Sequence, residues 1–220
     1  MDYNIHDVTL IDMLEERLKF IDQVIAFAYD AKVNYADTMT TVRPWDVIIH
    51  NYLLDRNIVI HQFKKAASYD SLVGGYVKEP KIGMSKWVVS FDLNSLYPHL
   101  IMQYNISPET LTHEKISVTV DKLLDKEIDT SYAKRRDLSM TANGWCYRKD
   151  VKGFMPELME QMYVNRSKFK KQMLKAQQEY EHDKNKKHLL KEISRLNNLQ
   201  MAMKIALNSA YGAMGNQYFR

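Results

Sequence analysis

A carboxylate at the end of an apolar stretch is the first feature of this sequence that could do chemistry. Residues 87–91 read Trp-Val-Val-Ser-Phe, and Asp92 follows directly. β-branched and aromatic residues favour strands, so we predict a short buried strand over 87–91 that ends at Asp92. A carboxylate in such a place is costly unless a cation or hydrogen bonds compensate it. Asp92 is therefore a candidate metal ligand, and the alternative is that it caps a following helix.

A second set of candidate residues lies nearer the C-terminus, where the sequence has helical periodicity. Lys204, Asn208 and Tyr211 are spaced four and three residues apart, so they share one helix face. Arg166 and Lys170 are four residues apart and share a face in the same way. If their helices form an antiparallel hairpin, both sets lie at its base beside Asp92. Such cations suit a polyanion, and a solvated helix face is the alternative.

The elements that position these residues are predicted from apolar periodicity. A long helix begins near Gly153, with Pro156 suited to its first turn. A polar break around residues 182–185 separates it from a second helix, so the two form a hairpin. The apolar stripes of the two helices are Leu158, Met162, Phe169, Met173 and Ala176, then Leu189, Ile193, Leu196, Leu199, Met203 and Leu207.

The N-terminal part of the chain also reads as helical. Steps of three and four over residues 8–33 predict one amphipathic helix with a buried face. Pro44 marks the start of a further helix, whose core-facing residues are Trp45, Ile48, Ile49 and Tyr52. Residues 112–142 are polar and predict no definite element.

Composition and charge narrow the class of protein. The chain has 220 residues with 45% apolar and 26% charged content, which is ordinary for a soluble globular protein. It has no apolar run of about 20 residues that could span a membrane. One cysteine, Cys146, excludes an internal disulfide and a cysteine-based zinc site. A reducing, intracellular setting fits this composition.

The positive charge is concentrated in the C-terminal third. Residues 156–220 carry 12 basic and 6 acidic side chains, whereas residues 1–155 carry 19 basic and 21 acidic ones. A basic region suggests a polyanionic partner, although it can also be a solvated helix surface.

Two stretches of the sequence resemble known motifs. Residues 92–100, Asp-Leu-Asn-Ser-Leu-Tyr-Pro-His-Leu, and residues 204–212, Lys-Ile-Ala-Leu-Asn-Ser-Ala-Tyr-Gly, resemble motifs A and B of family B DNA polymerases. The similarity is greatest to the replicative polymerases of T4-like phages, which residues 104–110 and 143–145 also resemble. The resemblance extends over essentially the whole chain. It implies an α+β fold, with a partial palm of β-sheet and packed helices and a fingers domain of two long antiparallel helices.

The resemblance also implies a division of the chain. Residues 1–21 correspond to the end of an exonuclease domain, and 22–63 to a helical connecting segment. The N-terminal part of the palm covers 64–152, and the fingers hairpin covers 153–216. Residues 217–220 begin the return to the palm.

By this resemblance, the motif A residues hold metal and nucleotide. Asp92 bridges two Mg²⁺ ions, and the carbonyl of Leu93 ligates one of them. The amides of Ser95 and Leu96 hold the triphosphate of an incoming dNTP. Tyr97 lies beneath the sugar and rejects ribonucleotides by a clash with the 2′-hydroxyl; the alternative is that Tyr97 is packed in the core. His99 departs from the family pattern.

The hairpin residues have implied roles as well. Arg166, Lys170 and Lys204 clamp the triphosphate, with Arg as a bidentate donor and Lys as a point charge. Lys204 is also the candidate proton donor to leaving pyrophosphate. Asn208 and Tyr211 pack against the nascent base pair, for which Gly212 leaves room.

Two further sites are implied less directly. Gly74 and Gly75 correspond to a template-contacting region, although Leu72 replaces the usual Tyr and a plain tight turn is equally compatible. Tyr3 and Asp7, four residues apart, resemble the last motif of the proofreading exonuclease. They are interpreted as an exonuclease remnant.

The partners and limits of the chain follow from the same resemblance. Primer–template DNA and dNTP are the expected partners, with a two-ion Mg²⁺ site that is incomplete in this chain. The family's second catalytic carboxylate, in an Asp-Thr-Asp-Ser hairpin, and its thumb are missing. We therefore expect no polymerase activity from this chain without a complementing polypeptide. The expected location is the cytoplasm of an infected host cell. The alternative function is a non-catalytic, basic helical module that binds nucleic acid or another partner.

Overall fold

Residues 2–60, 77–216 and 219 are described by the structure, a computed structural model of the chain. Residues 2–60 contain four helices: α1 (Asp2–Leu18), α2 (Phe20–Ala31), a 3-10 helix (Tyr35–Met39) and α3 (Val42–Leu54). Residues 77–216 contain α4 (Leu96–Tyr104), β1 (Leu111–Lys115), α5 (Val120–Leu124), α6 (Ser131–Arg135), β2 (Leu138–Met140), β3 (Trp145–Arg148), α7 (Phe154–His182) and α8 (His188–Met214).

The two longest helices, α7 and α8, pack against each other as an antiparallel pair. They have 29 and 27 residues and are joined by residues 183–187. At this tip the Asn185 amide donates to the Asp183 carboxylate at 3.0 Å. The predicted pair of long antiparallel helices is therefore present, and its break falls where the polar run predicted it. Residues buried along the pair include Leu158, Met162, Ala176, Leu189, Leu196, Met203 and Leu207.

The core lies where α2, α3 and α4 pack against the hairpin. Trp45 of α3 is 0% exposed, and its indole N–H donates to the Ala206 carbonyl at 3.2 Å and the Ser209 hydroxyl at 3.0 Å. Both acceptors belong to α8, within five residues of Lys204. Burial of Trp45, Ile49 and Tyr52 confirms the predicted inner face of α3.

A three-stranded antiparallel sheet of order β1-β3-β2 follows α4. Leu111 pairs with Tyr147, and Met140 pairs with Cys146. At the turn before β3, Gly144 has φ +85, and an added Cβ would lie 1.9 Å from the Ile116 carbonyl oxygen, so no other residue fits. The sequence predicted no element over residues 112–142 because β1 is mostly polar and β2 has only three residues, which is too few to show a periodic pattern.

The strand predicted over residues 87–91 is wrong. Residues 77–93 contain neither helix nor strand, and Trp87 and Phe91 are 94% and 89% exposed. Strand propensity reflects how side chains fit a half-buried sheet rather than an intrinsic preference of the backbone. No strand among the described residues pairs with this segment, so its strand-favouring residues have no neighbouring strand to which they could bond.

The single helix predicted over residues 8–33 is also wrong. Lys19, at φ 55, separates α1 from α2, and the Glu15 carboxylate accepts the Ile21 amide at 3.1 Å. The apolar residues of α1 are exposed, whereas α2 buries Phe27 and Ala31. The predicted buried face is wrong as well: its residues Val8, Ile11, Leu14, Leu18, Ile21 and Ile25 are exposed, and the buried Phe27 and Ala31 lie outside the predicted stripe.

Among the described residues, no helix is long and apolar enough to cross a membrane.

Candidate functional site

A cleft of about 550 Å³ lies where the start of α4 faces α7 and α8. Residues from three parts of the sequence line this cleft, which brings the two predicted sets together. They are Asp92, Leu93, Asn94, Ser95, Leu96, Tyr97, Arg166, Lys170, Lys204 and Asn208. Asn94 is the one member that the sequence did not single out, and its only signal was its position between two candidate residues.

The start of α4 gives the cleft a wall of backbone amides. Ser95 is the N-cap at φ 53, and its carbonyl accepts the first helical bond from the His99 amide at 3.2 Å. The amides of Ser95, Leu96 and Tyr97 therefore have no intrahelical acceptor. A helix start of this kind favours an anion.

Asp92 lies on the exposed segment that leads into α4. The N-cap is Ser95, which shows that Asp92 is not the cap of this helix. The carboxylate is exposed, not at the mouth of a buried strand as predicted. An exposed carboxylate at the rim of a cleft is open to a ligand.

Three cations line the same cleft as this carboxylate. The Nη1 atom of Arg166 donates to the Ser95 hydroxyl at 3.0 Å, and its Nε atom is buried without a partner among the described residues. No ion pair joins a described carboxylate to Arg166, Lys170 or Lys204. Asp92 is the one acidic residue among the described residues that line the cleft. The cleft thus carries an excess of two positive charges, and a buried donor is left for an anion.

Two tyrosines stack at the side of the cleft. The rings of Tyr97 and Tyr211 are 4.7 Å apart between centroids and 8° from parallel. Tyr97 is 45% exposed, which argues against its being a packed core residue. Residues from motif A and motif B therefore form one aromatic surface.

The other predicted site residues lie elsewhere or outside the described part of the chain. At Gly212 of α8, an added Cβ would lie 3.8 Å from Thr41, an ordinary contact. Tyr3 and Asp7 are exposed on α1 and do not line the cleft. Gly74 and Gly75 fall outside the described residues. The roles given to these residues stay predictions.

Sequence reasoning also missed residues that hold the site without lining it. Trp45 was predicted only as core, yet its indole bonds to α8 lie between Lys204 and Tyr211 in sequence. His99 packs edge-on against Tyr163 of α7 at 4.7 Å, which ties the first turn of α4 to the hairpin. No periodicity signals a contact between residues so far apart in the chain.

Comparisons with known proteins agree with this geometry. The sequence model described as DNA polymerase family B matches residues 40–219. The chain is 31% identical to the DNA-directed DNA polymerase of Enterobacteria phage T4 and 30% identical to that of Escherichia phage RB69. Each match covers 100% of this chain and 28% of the relative. DNA polymerase 1 of Pyrococcus abyssi is 35% identical over 66% of this chain and 15% of its own length.

The fold is also similar to that of a solved structure. The family B DNA polymerase from Pyrobaculum calidifontis matches with a TM-score of 0.62 at 20% identity. The match covers 94% of this chain and 24% of that one. With a family match over most of its length and two phage relatives along all of it, this chain belongs to DNA polymerase family B.

Proposed function

We propose that this chain is the palm–fingers part of a DNA-templated DNA polymerase and that its cleft binds a deoxynucleoside triphosphate together with Mg²⁺. The observation that carries the proposal is the cleft itself, which is lined by one exposed carboxylate, the start of a helix and three cations that form no ion pair among the described residues. A triphosphate complements this charge pattern. The phage relatives, which are named DNA-directed DNA polymerases, support the same assignment.

The cations and the amides bind the triphosphate in this proposal. Arg166 donates from its planar guanidinium to two phosphate oxygens, and Lys170 and Lys204 add point charges. The amides of Ser95 and Leu96 bind a further phosphate at the helix start. The ammonium of Lys204 holds the proton that passes to the leaving pyrophosphate.

The donor set fits Mg²⁺ that arrives with the nucleotide rather than a preformed metal centre. The described residues contain no group of three or more His, Cys, Asp or Glu side chains that could hold a metal ion. Mg²⁺ needs only one or two carboxylates when phosphates supply other ligands. Asp92 and the Leu93 carbonyl are the groups that would hold it. Mg²⁺ held there would supply stabilisation of the charge on the attacking and leaving oxygens.

Asp92 is the one carboxylate among the described residues that line the cleft, which is too few for a two-ion site. We therefore propose that this chain binds nucleotide but extends a primer only with a second carboxylate from a complementing polypeptide that carries Asp-Thr-Asp-Ser and a thumb. Primer–template DNA is the other partner, and the cytoplasm of an infected cell is the place of action.

The aromatic surface selects the sugar and the base pair. Tyr97 lies under the sugar, where its ring fills the space that a 2′-hydroxyl needs. Tyr211 and Asn208 pack against the nascent base pair, beside Gly212. Stacking of Tyr97 on Tyr211 couples the two selections, because either ring limits the position of the other.

Titration calorimetry of the purified chain with dATP, with and without Mg²⁺, tests the proposal. We expect Mg²⁺-dependent binding that Arg166→Ala weakens about 10- to 100-fold, because a hydrogen bond to a charged group is worth about 1.5–3 kcal/mol. Lys204→Ala should have a similar effect. Arg195→Ala is the matched control, since Arg195 lies on α8 but pairs with Glu192 outside the cleft. Salt-dependent DNA binding with no dATP binding would favour the non-catalytic module instead.

A further inference from the structure

Residues 105–110, between α4 and β1, accept hydrogen bonds from the backbone N–H groups at the start of α7. An α-helix leaves its first four amides without intrahelical acceptors. In α7 the first four positions are residues 153–156, and Pro156 has no N–H, so three amides need an acceptor outside the helix. The Gly153 amide donates to the Asn105 side-chain carbonyl at 2.9 Å. The Phe154 amide donates to the Glu109 carboxylate at 2.5 Å, and the Met155 amide donates to the Ser107 hydroxyl at 3.4 Å.

The same residues are tied to one another and to the sheet. The Asn105 amide group donates to the carbonyls of Arg148 and Val151 at 2.6 and 2.8 Å. Ser107 donates to Glu109 at 2.6 Å. Thr110, 1% exposed, donates to the Asn105 carbonyl at 2.6 Å. We call residues 105–110 the α7 socket, a hydrogen-bonded loop that holds the helix start from outside the helix.

Close packing makes the fit of the socket specific. Gly153 is buried, and an added Cβ would lie 2.5 Å from the Ser107 Cβ and 3.2 Å from the Thr110 Cγ2. A Cβ cannot rotate away, so either the socket or the helix start must move to admit one. The carboxylate of Glu109 also lies at the positive end of the α7 dipole, which stabilises it there.

The socket connects to the cleft through α4. Helix α4 runs antiparallel to α7, because Asn105 at its end contacts Gly153 while Ser95 at its start contacts Arg166. Between these ends, His99 packs on Tyr163. The socket therefore fixes the position of α7 along α4 at one end, and Arg166 meets Ser95 at the other, about 20 Å away along α7.

We infer that Asn105 and Glu109 are positioning residues, which set where Arg166 lies relative to the start of α4. This inference rests on the proposed function only in the test that measures nucleotide binding. Neither residue lines the cleft, and the proposed chemistry gives neither a role.

The first test measures position without nucleotide. Spin labels at Gln103→Cys on α4 and Lys168→Cys on α7 occupy exposed sites, and the native Cys146 is 0% exposed and so protected from labelling. We expect one narrow distance distribution by pulsed electron paramagnetic resonance. Asn105→Ala, Glu109→Ala or Gly153→Ala should broaden or displace it. Glu109→Gln keeps an acceptor oxygen, so its distance distribution should stay close to that of the native chain.

The control is Glu160→Gln, which removes a carboxylate near the same end of α7. Glu160 pairs with Lys152 and not with the helix amides, so the distribution should not change. An unchanged distribution in Asn105→Ala and Glu109→Ala, with only the unfolding midpoint lowered, would overturn the inference. The socket would then be a stabilising cap without a positioning role.

The second test is a double-mutant cycle on dATP binding. Asn105→Ala should weaken binding roughly three- to tenfold in the native chain, the effect of about one hydrogen bond. In the Arg166→Ala background it should have little further effect, because the residue through which it acts is gone. Additive effects would contradict the inference. If the native chain binds no dATP, the proposed function fails, and the spin-label distances alone decide the inference.

Discussion

The two sides of the cleft differ in how they are held. The helical side, formed by α4, α7 and α8, is fixed by a buried core, the Trp45 bonds to α8 and the α7 socket. The other side is the segment 77–94, which carries Asp92 and has no regular structure before the turn at Asn94. The chain itself thus positions the cations, whereas it leaves the carboxylate on an exposed segment. The difference indicates that the cationic side of the cleft is pre-organised by the fold, whereas the core does not fix the segment that carries Asp92.

Two tryptophans provide the largest contrast between these sides. Trp45 is 0% exposed and Trp87 is 94% exposed. Trp45→Ala should lower the free energy of unfolding by about 3–5 kcal/mol, since it leaves a cavity in the core. Trp87→Ala should change it by less than about 0.5 kcal/mol, as is usual for a surface site. Urea unfolding followed by circular dichroism measures both, and equal losses would show that the segment is packed.

Alkaline pH should weaken the helical side through Tyr52. Burial raises the pKa of Tyr52 to about 12, from an ordinary value of 10.0. Because the folded chain holds this proton more tightly than the unfolded chain, the stabilisation is complete below pH 10 and is lost as the pH rises towards 12. Urea midpoints over this range should fall less steeply in Tyr52→Phe. Identical slopes in the two proteins would show that the ionisation of another group causes the loss of stability at alkaline pH.

The tyrosine stack should give a smaller effect. Tyr211→Ala removes a ring 4.7 Å from Tyr97, and such pairs contribute about 0.5–1.5 kcal/mol beyond the area that they bury. We expect a corresponding loss of stability together with weaker discrimination between dATP and ATP in binding. Tyr211→Phe, which keeps the ring, is the control and should preserve both. Loss of stability without any change in discrimination would separate the stack from sugar selection.

Surface ion pairs of the helical side should contribute least to the free energy of unfolding. Arg56 of the segment after α3 pairs with Glu157 of α7 at 2.9 Å, and both side chains are more than one-third exposed. Exposed pairs typically contribute about 0.2–1 kcal/mol, so Glu157→Gln should lower the urea midpoint only slightly. High salt should reduce the difference further. A loss as large as that of Trp45→Ala would mean that charge, and not apolar packing, holds α3 to α7.

Sequence reasoning succeeded where local periodicity and packing agree. The stripes from Leu158 to Leu207 gave α7 and α8, because a helix satisfies its own backbone and needs only one covered face. Spacing also gave the cleft cations, since Arg166 and Lys170 share a face wherever the helix goes. The strand at 87–91 failed for the opposite reason: a strand takes its hydrogen bonds from a neighbour, and residue types cannot supply one.

The sequence by itself determined the family, the helical hairpin and the residue types that meet at the cleft, since these depend on motifs and short-range spacing. Only the tertiary structure decided that Ser95, and not Asp92, begins α4, that Lys19 divides α1 from α2, and that residues 105–110 hold the start of α7. Each of these depends on which distant groups come within hydrogen-bonding or packing distance. That distance is a property of the whole fold, and no local pattern of residues contains it.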